Sequence, residues 1–269
     1  MNIVCLDGKY LPEDQATIPI NDRGFLFGDG LFTTILVRDG RPFFLKAHIK
    51  QLLRQCAELK ITPPQIHEEA ISTLIEKNQA TSGSWRLKIV ITAGNGPERA
   101  LPSREFGHLL LTLTPYTPPP EKPLELAVYP HPIDHSHARI KSLAFLNRFT
   151  VMEYAHEQGA DDAITQSADG VLLESAFGNL FWIYEGTIYT PDPALPLYFG
   201  VTLSEFLKQT ELPVRYGRWK VDEIPEEGSL FRTNSLTLIR PIARIGDYHF
   251  KLGSTSGHKK KGLKAPFVL

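Results

Sequence analysis

Apolar residues fall in two kinds of run along this chain, and the spacing within each run predicts its element. The stretch LFTTILVRDGRPFFL reads as two strands around Asp39-Gly40, a dipeptide suited to the tight turn of a hairpin. From about Ala47 to Lys60 the spacing changes to that of an amphipathic helix, with Ile49, Leu52, Leu53, Cys56, Ala57 and Leu59 on the expected buried side. Trp85 to Thr92 and His108 to Thr114 are strand-like runs flanking the Gly-rich loop AGNGPER.

The prolines of TPPPEKP can continue neither a helix nor a central strand, so residues 117–123 are expected to be a linker. Residues 1–116 then form a small N-terminal α+β domain and 124–269 a larger C-terminal α+β domain. In the second, Leu124 to Tyr129 predicts a short strand, and Leu143 to Gln158 a helix closed by Gly159. Strand-sized pieces follow at Asp162 to Gln166, Asn179 to Tyr184, Thr187 to Thr190, Leu230 to Thr233 and Leu238 to Ile242.

Composition narrows the function. Lys and Arg number 29 against 30 Asp and Glu, and a net charge of −1 offers no clustered positive field for nucleic acid or an anionic membrane. A small-molecule substrate fits better. Cys5 and Cys56 are too few for a disulfide framework or a four-ligand zinc site. The start, MNIVCLDGKY, lacks the basic and apolar regions of a signal peptide, and no apolar run is long enough to span a bilayer, so a cytoplasmic protein is expected. His131, His135 and His137 lie in a Pro-containing stretch without a paired carboxylate or thiol; they read as a solvated loop, and no metal is assigned.

Four segments carry candidate chemistry. Lys141 is expected after a strand and loop at the start of a helix; alone it reads equally as a surface lysine. Glu174 ends an apolar run in LLESAFGNLFWI, where a buried carboxylate needs a cationic partner or serves a turn. In GVTLSE, Thr202 and Glu205 have the spacing of a capping box, so a helix is expected to begin there with free N–H groups suited to a phosphate. In FRTNSL, small polar residues after a strand add donors for the same anion.

In order and spacing these segments resemble the fold-type IV pyridoxal 5′-phosphate (PLP) enzymes, D-amino acid aminotransferase-like in fold: the branched-chain and D-amino acid aminotransferases and the 4-amino-4-deoxychorismate lyases. The resemblance runs through DRGFLFGDGLFTT, AHIKQLLRQCAEL, RIKSLAFLNRFTVMEYAHEQGADDAI, LLESAFGNLFWIYEGTIYTP, GVT and FRTNSLTLIRPIARI, nearly the whole chain. It implies that Lys141 is the Schiff-base lysine and acid/base, that Glu174 pairs with the pyridine nitrogen, and that Val201, Thr202, Asn234 and Ser235 receive the phosphate. It also implies a homodimer.

One position departs from the pattern. Gln51 stands where the family usually has a phosphate-binding Arg, with Arg54 one turn further and Lys50 adjacent as substitutes. Phe32 stands where D-amino acid aminotransferases carry a substrate-trapping tyrosine, Thr33 where transaminases commonly have Glu, and the Gly-rich loop keeps only Arg99. Those features and TNSL most resemble the lyases, which make 4-aminobenzoate and pyruvate for folate synthesis. Arg99 and Thr34 are then candidates for a substrate carboxylate and the leaving-group oxygen, although Arg99 also reads as a solvated loop residue. A branched-chain or D-amino acid aminotransferase, and a non-catalytic PLP- or phosphate-binding protein, are the alternatives.

Overall fold

The computed structural model describes residues 2–96, 104, 107–133 and 137–253. Arg99, His135 and the basic stretch 257–266 lie outside the described residues. The chain divides into two compact units, residues 1–118 with 140–145, and 119–139 with 146–269. The architecture is α+β, and each unit is built on one sheet. Among the described residues no helix is long and apolar enough to cross a membrane.

In the first unit the strands are β1 (Ile3–Leu6), β2 (Lys9–Pro12), β3 (Gly30–Arg38), β4 (Arg41–Pro42), β5 (Ser84–Thr92) and β6 (Leu109–Pro115). They form one antiparallel sheet in the order β2-β1-β6-β5-β3-β4. The Asp39-Gly40 turn joins β3 to β4, with both residues at positive φ (49° and 73°). Alternation in β5 puts Leu87, Ile89 and Ile91 in the core and leaves Arg86, Lys88 and Val90 on the other face.

Helices α1 (Arg23–Phe27), α2 (Leu45–Glu58) and α3 (Glu68–Lys77) complete the unit, with Leu52, Cys56, Ile71 and Leu74 packed into the core of the sheet. The buried face of α2 is rotated from the expected one. His48, Leu52, Gln55 and Cys56 are buried, whereas Leu53 and Ala57 are exposed. The two polar residues turn inward because each has a partner inside. His48 Nδ1 lies 2.7 Å from Thr33 Oγ1, and Gln55 Oε1 accepts from the Lys141 backbone N–H at 3.5 Å.

The segment 140–145 belongs to this first unit. Phe32 N donates to Lys141 O and Leu143 N to Gly30 O, so it runs as an extended edge beside the start of β3. Lys141 was expected in the second domain and at the start of a helix; it lies instead in this extended segment, and the helix α4 (Leu146–Glu157) begins beyond it. Leu143 pairs with the sheet through its N–H, and its carbonyl accepts from Phe145 N rather than from a residue one helical turn on. Gly28, at φ +66°, caps α1 where a Cβ would sit 2.8 Å from Ala144 Cα, so the approach of this segment requires glycine.

The second unit adds β7 (Leu124–Val128), β8 (Asp162–Gln166), β9 (Leu172–Ser175), β10 (Asn179–Tyr184), β11 (Thr187–Pro191), β12 (Val214–Gly217), β13 (Ser229–Asn234), β14 (Leu238–Ile245) and β15 (Tyr248–His249). Its mixed sheet runs β12-β11-β10-β13-β14-β7-β8-β9, with β15 paired to β14. Helix α5 (Val201–Gln209) is held on the sheet by Phe206, whose ring centroid is 4.9 Å from that of Phe181, itself stacked on Phe231 at 5.0 Å. These buried rings fix where the start of α5 points.

Candidate active site

Two clusters of chemistry-bearing residues result, one in each unit. In the first, the Lys141 amine stands over two aromatic rings, 4.7 Å from the centroid of Phe32 and 5.2 Å from that of Phe145. The rings meet edge to face at 5.2 Å, forming an apolar wall beside the amine. Phe32, Thr34 and Lys88 share this face of the sheet; Thr34 is the cross-strand partner of Lys88. Thr33 points the other way, into the core, where it is bonded to His48. Burial, reinforced by the positive charge of Lys141, lowers the His48 pKa to about 3, so its imidazole is neutral at ordinary pH.

On α2, Gln51 is partly buried. Arg54 is on the solvent side, its side chain 65% exposed and its guanidinium 3.8 Å from Glu58, and Lys50 is exposed as well.

In the second unit, Glu174 is buried at the end of β9. Its Oε1 accepts from Arg148 at 2.5 Å and from the Tyr198 backbone N–H at 2.9 Å. Arg148 also donates to the carbonyls of Ser175 (3.2 Å) and Ala176 (3.0 Å), which ties α4 to the turn after Glu174. Burial opposes the charge of Arg148, but the adjacent Glu174 carboxylate outweighs it and raises the pKa.

The buried Asp162 organises the same turn. It accepts from Ser175 Oγ (2.8 Å), from the Ala176 and Ala163 N–H groups (3.1 and 2.8 Å) and from Arg232 (2.8 Å). Because Arg232 precedes Thr233 on β13, this one carboxylate sets both Glu174 and the β13 terminus.

Asn179 lies opposite Thr233 on the neighbouring strand. Its amide donates to Tyr198 O (2.6 Å) and accepts from Gly200 N (2.8 Å), drawing the 198–200 loop onto β10. A Cβ on Gly200 would sit 2.7 Å from Asn179 Oδ1, so a larger residue would displace that amide.

Helix α5 begins two residues earlier than the capping-box spacing predicts. Gly200 is its N-cap, and no side chain caps it. Thr202, inside the first turn, therefore cannot act as the cap, and Glu205 pairs with Lys208 at 2.5 Å instead. Among the described residues the Thr202 hydroxyl has no hydrogen-bond partner although the residue is 2% exposed, and neither has the Thr233 hydroxyl at 1% exposure. An uncapped helix N-terminus beside two buried, unpaired hydroxyls is a donor set that fits a phosphate. Of the expected phosphate residues, Val201 and Thr202 form this terminus. Asn234 uses its side-chain oxygen within the chain, accepting from Leu236 N, Thr237 N and Thr237 Oγ1, and so shapes the turn that carries Ser235.

Arg148, Asp162, Asn179, Thr233, Lys88 and His48 are not among the residues singled out from the sequence. Lys88 left a trace there, a charge in the middle of the mostly apolar run LKIVI. The rest depend on pairings made far along the chain.

The model of the amino-transferase class IV family matches residues 30–245, and the chain belongs to that family. It has the fold-type IV architecture. It is 27% identical to an aminodeoxychorismate lyase of Bacillus subtilis over 97% of this chain and 92% of that one. It is 26% identical to a D-alanine aminotransferase of Staphylococcus epidermidis, covering 91% and 89%. The PLP-bound form of a hypothetical aminotransferase from Mycobacterium tuberculosis shares the fold at a TM-score of 0.81, with 18% identity and 95% of each chain covered. Family membership supports PLP as the cofactor, and the chain is an enzyme of this PLP-dependent class.

Proposed function

We propose that the chain is a lyase that converts 4-amino-4-deoxychorismate to 4-aminobenzoate and pyruvate. The observation that carries this reading is the face beside Lys141. It presents a hydroxyl at Thr34 and an ammonium at Lys88, while Thr33, where the resemblance leads one to expect a transaminase glutamate, is closed off on His48. The lyase of Bacillus subtilis among the relatives supports it.

Lys141 would hold PLP covalently, Glu174 would face its ring nitrogen, and the start of α5 with Thr202, Thr233 and the Asn234-Ser235 turn would hold its phosphate. When bound, PLP supplies an electron sink for breaking a C–H bond. The chain's own residues do the rest. The Lys141 amine takes the proton from the substrate carbon that bears nitrogen. The electron pair of that C–H bond becomes a ring double bond as the neighbouring C–O bond breaks; Thr34 would donate a hydrogen bond to the departing enolpyruvyl oxygen, and the proton taken up by Lys141 would return to the enolpyruvyl group. The ring is left aromatic and the enol becomes pyruvate, with no net oxidation. Phe32 and Phe145 keep water from the amine.

The residues also suit a cytoplasmic homodimer. Cys5 and Cys56 are buried free thiols, as a reducing compartment permits, and Ile20 and Phe25 expose large apolar surfaces (84% and 71%) for a second subunit to cover.

A PLP-dependent aminotransferase of D- or branched-chain amino acids is the second reading, favoured by the D-alanine aminotransferase relative. Purified protein given aminodeoxychorismate is expected to release 4-aminobenzoate without any keto acid; a strict keto-acid requirement would overturn the lyase reading. Lys141→Ala is expected to lower turnover by about 10⁴-fold, the upper end for one acid/base group. It should also abolish borohydride fixation of PLP while the circular dichroism spectrum stays unchanged.

A further inference from the structure

Lys88 lies in the middle of β5, on the sheet face opposite the core. It is half-buried, and its Nζ stands 4.5 Å from the centroid of the same Phe32 ring that Lys141 Nζ approaches to 4.7 Å. Its cross-strand neighbours, Thr34 on β3 and Thr112 on β6, carry no charge. Among the described residues no carboxylate is paired with it, and the like charge of Arg86 acts on it.

A partly desolvated ammonium without a counter-ion is costly, and burial together with Arg86 lowers the pKa of Lys88 from the usual lysine range. Two surface lysines pair with an acid, Lys122 with Asp161 and Lys208 with Glu205. Lys88 instead lies over the Phe32 ring that Lys141 also approaches.

We propose that Lys88 binds a substrate carboxylate, while Lys141 works on the amine-bearing carbon of the same molecule. The proposal rests on the reading of Lys141 as the catalytic lysine and names the recognition element of that site. The two amines share one ring but do different work. Lys141, on a chain edge hydrogen-bonded to β3, holds the cofactor, and Lys88, rooted in the middle of the sheet, is a fixed charge that sets which way the substrate lies. A substrate with two carboxylates, as the lyase reading requires, has one of them for Lys88.

The test compares holoenzyme and its Lys88→Met and Lys88→Arg variants, using two probes of one shape, 4-aminobenzoate and 4-aminobenzamide, in equilibrium titrations. In the wild type the carboxylate is expected to bind at least about tenfold tighter than the amide. Lys88→Met should lose that preference, binding the amide as before, and Lys88→Arg should recover part of it. With aminodeoxychorismate, Lys88→Met should raise KM about tenfold or more with kcat changed less than about threefold, and PLP content should match the wild type. An undiminished preference for the carboxylate in Lys88→Met, or equal loss of both probes, overturns the proposal. If the wild type makes no 4-aminobenzoate without a keto acid, the lyase reading fails by itself. The comparison then passes to D-alanine and D-alaninamide, where an unchanged preference in Lys88→Met again overturns the role of Lys88.

Discussion

Two pairs of buried hydroxyl-bearing or imidazole groups, one in each unit, are treated in opposite ways. In the first unit Thr33 and His48 are closed on each other at 2.7 Å. In the second, Thr202 and Thr233 are as deeply buried, yet neither hydroxyl has a partner among the described residues. Folding ordinarily satisfies buried polar groups, because an unpaired one keeps its desolvation cost. The first pair is thus explained by the chain alone, joining β3 to α2. On the proposed reading the second pair serves a bound phosphate, which would separate residues that hold the scaffold from residues that receive a ligand.

The sharpest contrast comes from Glu174, which is part of the scaffold and, on the proposed reading, also faces the cofactor. Glu174→Gln keeps the shape and the contact with Tyr198 but removes the charge that would face the cofactor ring. Turnover is expected to fall at least about a hundredfold, roughly 2.7 kcal/mol, with PLP still bound. Steady-state kinetics beside the cofactor absorption spectrum checks this, and unchanged turnover would remove Glu174 from the chemistry.

Next come matched substitutions in the two pairs. Thr33→Val strands His48 and is expected to destabilise the fold by about 1–3 kcal/mol with or without PLP. Thr202→Val and Thr233→Val, removing hydroxyls that bond to nothing in the free protein, should each change apo stability by less than about 0.5 kcal/mol. Each should nevertheless weaken PLP binding about five- to tenfold, the worth of one hydrogen bond to an ion. Urea unfolding and PLP titration of the three variants decide it; a Thr202→Val protein destabilised like Thr33→Val would erase the distinction.

The last contrast concerns pH. The His48 pKa is about 3 in the folded protein against 6.5 for a free imidazole. Below 6.5 the unfolded chain takes up a proton that the folded one refuses, so stability rises with pH across this window. The contribution is whole above about pH 6.5 and is lost as pH falls toward 3. His48→Asn, which retains a partner for Thr33, is expected to flatten that part of the stability–pH curve. An unchanged slope would mean that His48 takes its proton in the fold.

Local rules read the frame well. The β3–β4 hairpin follows from Asp39-Gly40, and the strands at Asp162, Asn179 and Thr187 begin where apolar runs begin. Rules of the same range missed wherever a distant partner decides. Periodicity favoured Leu53 and Ala57 on the inner face of α2, but His48 and Gln55 take that face because Thr33 and the Lys141 backbone receive them. A helix from Leu143 is reasonable by propensity, but that residue pairs with the start of β3 instead. Lys141, Glu174 and the GVT turn were legible as motifs. The Arg148 contact to Glu174 and the hub at Asp162 were not, because nothing in their own neighbourhoods announces a buried ion pair.

The extended stretch from Ile140 to Phe145 also bears on how the protein is made. It supplies the edge on which the reactive amine is mounted, yet it emerges from the ribosome well after β3, separated from it by β5, β6 and β7. Pairings between such distant segments form late, because the intervening loop must close first. Until then the leading half of β3 offers unpaired backbone to any passing strand, a hazard for a nascent chain. Catalytic competence is thereby tied to a late event in folding: a molecule that carries its lysine in place has already completed its first sheet.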